Sequence, residues 1–279
     1  MMPPPRTHRF SLILAAVDFS RQSAKALRYA VALARAGGGR VVAVHVIEPV
    51  LAGAAAQAYD ERALIRDTTA GVAKFVASTA GAASAPGIQC LAVAGAPRQT
   101  LAATARRLHA DVLVMGTHGR GDVDKAFFGS VAKSLLRRYP ETVMVIPPGC
   151  PDPPASWPGL ALAAVGHGRS RRALISSAAR MAALFGAWLS VVDVETPARQ
   201  PAWRQAGLIL LPLPAADRLR TFRQGPGAHR VIREAHRPVL VMHAGRRIGH
   251  VAGPRKAAWR WPGSEPPLRN ARAPSHAER

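Results

Sequence analysis

Two glycine clusters carry the clearest chemistry in this chain. Gly116-Thr117-His118-Gly119 is followed, after residues 120 to 128, by Gly129-Ser130, a Gly-x2-Gly-x9-Gly-Ser spacing. The apolar run Val112 to Met115 precedes it, and a helical pattern from Ser130 to about Tyr139 follows. Glycine lets backbone N–H groups approach a ligand closely and admits φ > 0. A helix opening at Ser130 offers free N–H groups and the positive end of its dipole to an anion, and the Ser130 hydroxyl adds a donor. This is phosphate-binding chemistry. Glycines alone favour a tight turn with Ser130 as a helix N-cap; the strand–loop–helix setting and the internal repeat described below favour the site. The chain contains no Gly-x4-Gly-Lys-Ser/Thr loop, no Gly-x-Ser-x-Gly elbow and no His/carboxylate cluster at metal-ligand spacing.

Elements must hold these residues in place. Leu12 to Val17 is a continuous apolar run of strand length, followed by Asp18-Phe19-Ser20. A helix follows with Ala24, Leu27, Ala30, Val31 and Ala34 on one face, ended by Gly37-Gly38-Gly39. Val41 to Ile47 reads as a strand, broken at Glu48-Pro49. Tyr59 to about Ala80 reads as a long helix, Ile88 to Ala94 as a strand, Pro97 to about His109 as a helix and Val112 to Met115 as a strand. Gly116 to Phe128 is a loop, and Thr142 to Ile146 completes the series as a fifth strand. Apolar strands separated by helices imply a parallel sheet covered on both faces. Ligands of such sheets bind beyond the carboxyl ends of the strands, here just after Val17, Val46 and Met115.

The pattern then partly repeats. Pro151 to Pro158 reads as a proline-rich linker. Leu160 to Val165 parallels the first strand, and Ser170 to Phe185 the first helix. Gly186 to Pro197 parallels Gly38 to Pro49, and Arg230 to Met242 parallels Lys133 to Val145. The long helix, third strand and following helix have no counterpart between Thr196 and Ala206. The expected organisation is one α/β unit over residues 8–149, a linker over 150–158, a shortened copy over 159–244, and a flexible basic tail over 245–279.

Composition bounds the rest. The chain has 279 residues, 48% of them hydrophobic, enough for a packed core. No apolar run approaches the roughly 20 residues of a bilayer span, and Leu12 to Val17 is too short for a signal-peptide core; the expectation is a cytoplasmic protein with no membrane partner. Two cysteines make neither a disulfide framework nor a zinc site. Cys90 reads as a buried small hydrophobe and Cys150 as a loop thiol. The formal net charge of +22 attracts polyanions nonspecifically. With aromatics at 5%, stacking platforms for nucleic acid are scarce.

The Gly-x2-Gly-x9-Gly-Ser spacing resembles the ATP-binding signature of the universal stress protein family. So do "AAVDFS" at the first strand, "VVAVHVIEP" at the second, "DVLVMGTHGRG" at the fourth and "GSVAKSLLRRYPETVMVIPP" at the end, in that order over about residues 10 to 148. The resemblance implies tandem α/β parallel-sheet units of the Rossmann-like, adenine-nucleotide α-hydrolase-like kind, the second one truncated. It implies ATP as ligand, with Mg²⁺ carried through the phosphates. Ala16, Val17 and Asp18 would line the adenine end, with Val46 giving backbone contact to the base. Met115 and Gly116 would sit at the ribose; Gly119, Gly129, Ser130 and Val131 would hold the phosphates, helped by His118 and Arg120. Asp18 reads equally as a cap of the following helix with Ser20. Asp122 and Asp124 read as solvated loop residues, and His45 as a structural histidine.

Aligning Val231-Ile232 with Leu135-Leu136 puts Pro226 at the Ser130 position and Gly225 at Gly129. Pro212 and Ala215 then fall at Gly116 and Gly119, and Gly166-His167-Gly168 replaces the aspartate after the first strand. Proline lacks an N–H, so the second copy is expected not to bind ATP in the family's manner. Units of this family often pair through their last strands, which a tandem chain makes internally or a homodimer makes between copies. The leading expectation is an ATP-binding regulatory protein of stress response rather than an enzyme, with slow hydrolysis or autophosphorylation left open. The alternative is an ATP-independent interaction scaffold. A nucleotidyl transferase fits poorly, because Asp18-Phe19-Ser20 stands where such enzymes carry a His-x-x-His or glycine-rich motif.

Overall fold

A computed structural model describes residues 10–48, 60–81, 87–118, 129–139, 141–154, 159–167, 170–195, 202–214 and 226–243. The expected basic tail lies outside them. The elements run β1 (Leu12–Ala16), α1 (Arg21–Gly37), β2 (Arg40–Ile47), α2 (Glu61–Ala80), β3 (Ile88–Ala94), α3 (Pro97–Arg107), β4 (Val112–Gly116), α4 (Ser130–Arg138), β5 (Thr142–Ile146), β6 (Leu160–Val165), α5 (Arg171–Phe185), β7 (Trp188–Asp193), α6 (Ala202–Gln205), β8 (Leu208–Leu213), α7 (Pro226–Glu234) and β9 (Val239–His243).

Among the described residues the strands form one nine-stranded sheet in the order β3-β2-β1-β4-β5-β9-β8-β6-β7. Every neighbouring pair is parallel except β5 with β9. The continuous apolar runs follow from this: strands such as β5 and β8 are buried along their whole length because both faces are covered. Among the described residues, no helix is long and apolar enough to cross a membrane.

Local chemistry sets the element ends. Ser20 caps α1, its side chain accepting from Ser23 N, and Asp60 caps α2 by accepting from Arg62 N. Gly38 ends α1 in the left-handed region at φ 72°, a conformation that costs glycine nothing. Gly39 is needed for a different reason: a Cβ there would collide with the Phe10 carbonyl. At the same place in the second half, Gly186 ends α5 at φ 63°.

Register fixes the correspondence between the halves. Leu12 lies opposite Arg40 in one, and Leu160 opposite Trp188 in the other. Ile13 pairs with Val112, and Ala161 with Leu208. Pro212 therefore occupies the place of Gly116, as the alignment of Val231-Ile232 with Leu135-Leu136 requires. By the same ladders Val239 stands where Val143 does, so the parallel drawn between Arg230–Met242 and Lys133–Val145 is one residue out of step. Across the central join, Val143 lies opposite Val241, Met144 opposite Leu240 and Val145 opposite Val239. These are equivalent residues exchanged about Met144–Leu240, so the two halves meet about a local twofold through their last strands.

The core is continuous across that join, with residues of β1, α1, α2, β6, α5 and β8 in one cluster. Phe10 reaches from the first half onto Phe185 of α5, ring centroids 5.8 Å apart. Between β7 and β8 the described residues hold only the short α6. Lacking a β3 counterpart, β7 is an edge, and Trp188 at its start is 82% exposed.

The cysteines differ from expectation. Cys150 lies in a loop, but it is buried, because residues 150–152 lie along α1. Lys25 Nζ donates to Cys150 O, Tyr29 Oη to Pro151 O at 3.1 Å, and Arg28 pairs with Asp152 at 2.8 Å. The Cys150 thiol hydrogen bonds to Tyr29 Oη at 3.2 Å, and burial pushes both groups up from their ordinary pKa values. Cys90 is only half-buried.

Candidate functional site

A cavity of about 470 Å³ opens at the carboxyl ends of β1, β2 and β4, against the first turns of α3 and α4. Its size suits a small-molecule ligand. Ten of the expected site residues line it: Ala16, Val17, Asp18, Val46, Met115, Gly116, His118, Gly129, Ser130 and Val131. Gly119 and Arg120 lie outside the described residues, as do Asp122 and Asp124. Ser23, His45, Glu48, Pro97, Leu101 and Thr117 also line the cavity. Of these, Thr117 carries a signal through its place inside the glycine pattern, and His45 and Glu48 through theirs in "VVAVHVIEP"; Ser23, Pro97 and Leu101 carry none.

At the strand-end side, the backbone supplies the polar groups. Val17 N donates to Val44 O at 2.8 Å, while Gly95 N donates to Ile47 O on the opposite edge of β2. Backbone groups alternate sides along a strand, so the N–H and C=O of Val46 point the same way as those of Val44. There β1 has already ended, leaving these groups to the cavity. Asp18 Oδ1 accepts from Ser20 N at 3.0 Å, a side-chain-closed turn. The aspartate thus orients the capping serine rather than capping α1 itself, and it lines the cavity as well.

At the other side, Gly129 N donates to Thr117 O at 2.8 Å and Lys133 N donates to Gly129 O at 3.0 Å. The Gly129 amide is therefore committed, and the free amides of the first turn are those of Ser130, Val131 and Ala132. Unlike α1 and α2, α4 has no side-chain cap: its N-cap is Gly129, and Ser130 is the first helical residue. The N-cap reading of Ser130 does not hold. Nor does φ > 0 explain the described glycines: Gly129 sits at φ −55°, and Gly116 is not among the positive-φ glycines. Gly116 is tightly packed: a Cβ there would lie 3.0 Å from Gln22 Cβ and 3.3 Å from His118 O, so a side chain would need these neighbours to give by a few tenths of an ångström. His118 Nδ1 is hydrogen bonded to Thr117 Oγ1 at 2.8 Å, and its buried Nε2 has no partner among the described residues. Among the described residues, no group of three or more His, Cys, Asp or Glu is placed to hold a metal ion.

At the corresponding end of the second half, the described residues close in. Val194 and Glu195 turn in over the first turn of α7: a Cβ on Gly227 would meet Glu195 Oε1 at 3.0 Å and Val194 Cγ1 at 3.2 Å. Arg230 donates to Glu195 O at 2.8 Å, Glu195 N to Asp193 Oδ1 at 2.8 Å, and Arg171 to Val165 O at 3.3 Å. Pro212 and Pro226 stand where Gly116 and Ser130 stand in the first half; Ala215 and Gly225 lie outside the described residues.

Comparison with known proteins fits this geometry. The family model described as "Universal stress protein family" matches residues 10–147. A universal stress protein of Thermus aquaticus is 31% identical over 137 residues, which cover 49% of this chain and 98% of that protein. The chain belongs to the universal stress protein family. Solved relatives extend the likeness of fold over both halves. A universal stress protein from Archaeoglobus fulgidus superposes with a TM-score of 0.60 at 17% identity, over 84% of this chain and 98% of that one. A protein of Pseudomonas aeruginosa, PA1789, gives 0.58 at 16% identity, over 85% and 94%. This universal stress protein therefore shares its α/β fold over both halves with other chains, and the cavity described here lies in the first half.

Proposed function

We propose that the first half of this universal stress protein binds one ATP and that the chain acts as a nucleotide-dependent regulatory protein in stress response, without metabolic turnover. One observation carries the reading: the uncapped first turn of α4 aims three free backbone amides into the cavity. Such an N-terminus favours a phosphate by hydrogen bonding and by its dipole. His118 Nε2, buried and lacking a partner among the described residues, adds a polar group that a phosphate oxygen would satisfy. The Val46 backbone edge, left without a β1 partner at the cavity, suits the donor–acceptor edge of adenine. Asp18 and Glu48 put carboxylates near the base, away from the amides that take the phosphates. In this reading Mg²⁺ sits on the phosphates and completes its shell with water.

The test is calorimetric titration of Mg²⁺-ATP into the purified chain and into a Gly129→Ala/Ser130→Ala double variant. The proposal expects one site per chain, weakened at least tenfold in the double variant. No heat of binding in a folded wild-type chain would leave the second reading, an ATP-independent interaction scaffold. The filled end of the second half and the exposed edge at β7 favour that reading.

A further inference from the structure

The loop between β1 and α1 holds a conformation that its residue types do not favour. Phe19 lies at φ 64°, in the left-handed region, where a bulky L-residue is strained. His109, the other non-glycine residue with positive φ among those described, ends a helix, where this conformation is routine. Phe19 precedes a helix instead, between Asp18, which lines the cavity, and Ser20, which caps α1. Strain of this kind persists where surrounding contacts over-determine it, and it concentrates at functional sites.

Those contacts are present. The Phe19 ring packs against His45 of β2, centroids 4.7 Å apart, and edge-on against Phe75 of α2 at 5.5 Å. The His45 ring is fixed in turn: its Nδ1 donates to Val17 O at 2.8 Å. The three rings thus tie the loop that carries Asp18 to β2 on one side and to α2 on the other.

The second half provides an internal comparison. Val165 lies opposite Asp193 in the β6–β7 ladder, so by register Asp193 stands at the His45 position and His167 at the Phe19 position. These two side chains touch again, His167 Nε2 to Asp193 Oδ2 at 2.8 Å, but as an exposed polar pair. No helix corresponding to α2 is described there, and neither His167 nor Asp193 has positive φ. The aromatic clamp occurs in the half with the open cavity and is replaced in the half whose cavity is filled.

We infer that Phe19 is a positioning residue of the nucleotide site: its ring, held between His45 and Phe75, fixes the Asp18 loop at the cavity and links nucleotide binding to the docking of α2. The inference rests on the ATP reading proposed above. Linkage makes the effect reciprocal: loosening α2 weakens nucleotide binding, and bound nucleotide tightens α2.

The experiment uses the full chain and Mg²⁺-ATP. Affinity is measured for wild type, Phe19→Ala, Phe19→Gly, Phe75→Leu and Phe75→Tyr, and hydrogen exchange is followed over 61–80 with and without ATP. Phe19→Ala should bind about tenfold more weakly. Phe19→Gly, which accepts the backbone without strain, separates ring from strain and should be weakened as well. Phe75→Leu should lose the ATP-induced protection of 61–80 seen in wild type, and Phe75→Tyr, which keeps the edge contact, should restore it. Wild-type affinity in Phe19→Gly, or no ATP effect on 61–80 in a wild-type chain that binds ATP, would overturn the clamp. A wild-type chain that binds no ATP would instead defeat the ATP reading.

Discussion

The two halves of the sheet share their strand registers and differ in the segments that leave the strand ends. After β2 the first half spends residues 48–111 on α2, β3 and α3, so Val46 and Asp18 face a space roofed by Pro97 and Leu101. After β7 the second half has only residues 194–207 before β8. Val194 and Glu195 then occupy the ground between the end of β6 and the start of α7. A parallel sheet of this kind tolerates the loss of an outer strand and its helices, because the join through β5 and β9 and the shared core supply burial from the partner half. The cavity does not tolerate it. Fold and site thus depend on different parts of the repeat.

The largest effect should come from the join itself. Met144 is fully buried opposite Leu240, so Met144→Asp places an unpaired carboxylate at the local twofold and should cost about 5 kcal/mol. Denaturant unfolding followed by near- and far-ultraviolet dichroism should give one common transition, moved to lower denaturant. Two separated transitions would mean that the halves are independent and that the shared core contributes little.

A swap between equivalent positions sharpens the comparison next. Ser130→Pro copies Pro226 into the first half. Proline is well tolerated at the first position of a helix, so the thermal midpoint should stay within about 2 °C. The missing N–H should weaken ATP binding about tenfold, or ~1.4 kcal/mol. The reverse change, Pro226→Ser, should not create a second site, because Val194 and Glu195 still cover that turn. Two sites by calorimetry in Pro226→Ser would break the account of the filled end.

The smallest effect is in the polar pair. The Asp193 carboxyl is held below its ordinary value first by the Glu195 backbone N–H and then by His167. A lowered folded value adds stability that is fully present above the ordinary carboxylate range near pH 4 and fades as pH falls through the folded value. Asp193→Asn should therefore lower the thermal midpoint slightly and evenly from about pH 5 upward, with the gap closing below about pH 4. A gap that widened on acidification would contradict the pairing.

Much of this architecture is legible in the residues. Runs such as Thr142 to Ile146 and Leu160 to Val165 are strands over those spans, because burial on both faces leaves a continuous apolar signal. Helix starts are readable where a side-chain cap precedes an amphipathic pattern, as at Ser20. The cavity lining comes from strand ends and from the glycine spacing, both local signals. Features set by distant contacts are not legible. Burial of Cys150 depends on Tyr29 and Lys25 reaching residues 150–151, and nothing local in Pro147-Pro148-Gly149-Cys150 announces it. The tight packing at Gly116 is likewise hidden, since its neighbour Gln22 lies far away in sequence. The left-handed Phe19 has no signature at all, because two rings from other elements impose it.

The most direct measurement of the central claim is hydrogen exchange across the whole chain at saturating Mg²⁺-ATP. The account predicts protection in peptides covering 16–18, 46–48, 115–118 and 129–132, and none in 165–167, 193–195, 212–214 or 226–229. Protection spread equally over both sets, or confined to the second, would contradict a chain with one open nucleotide site and one filled copy.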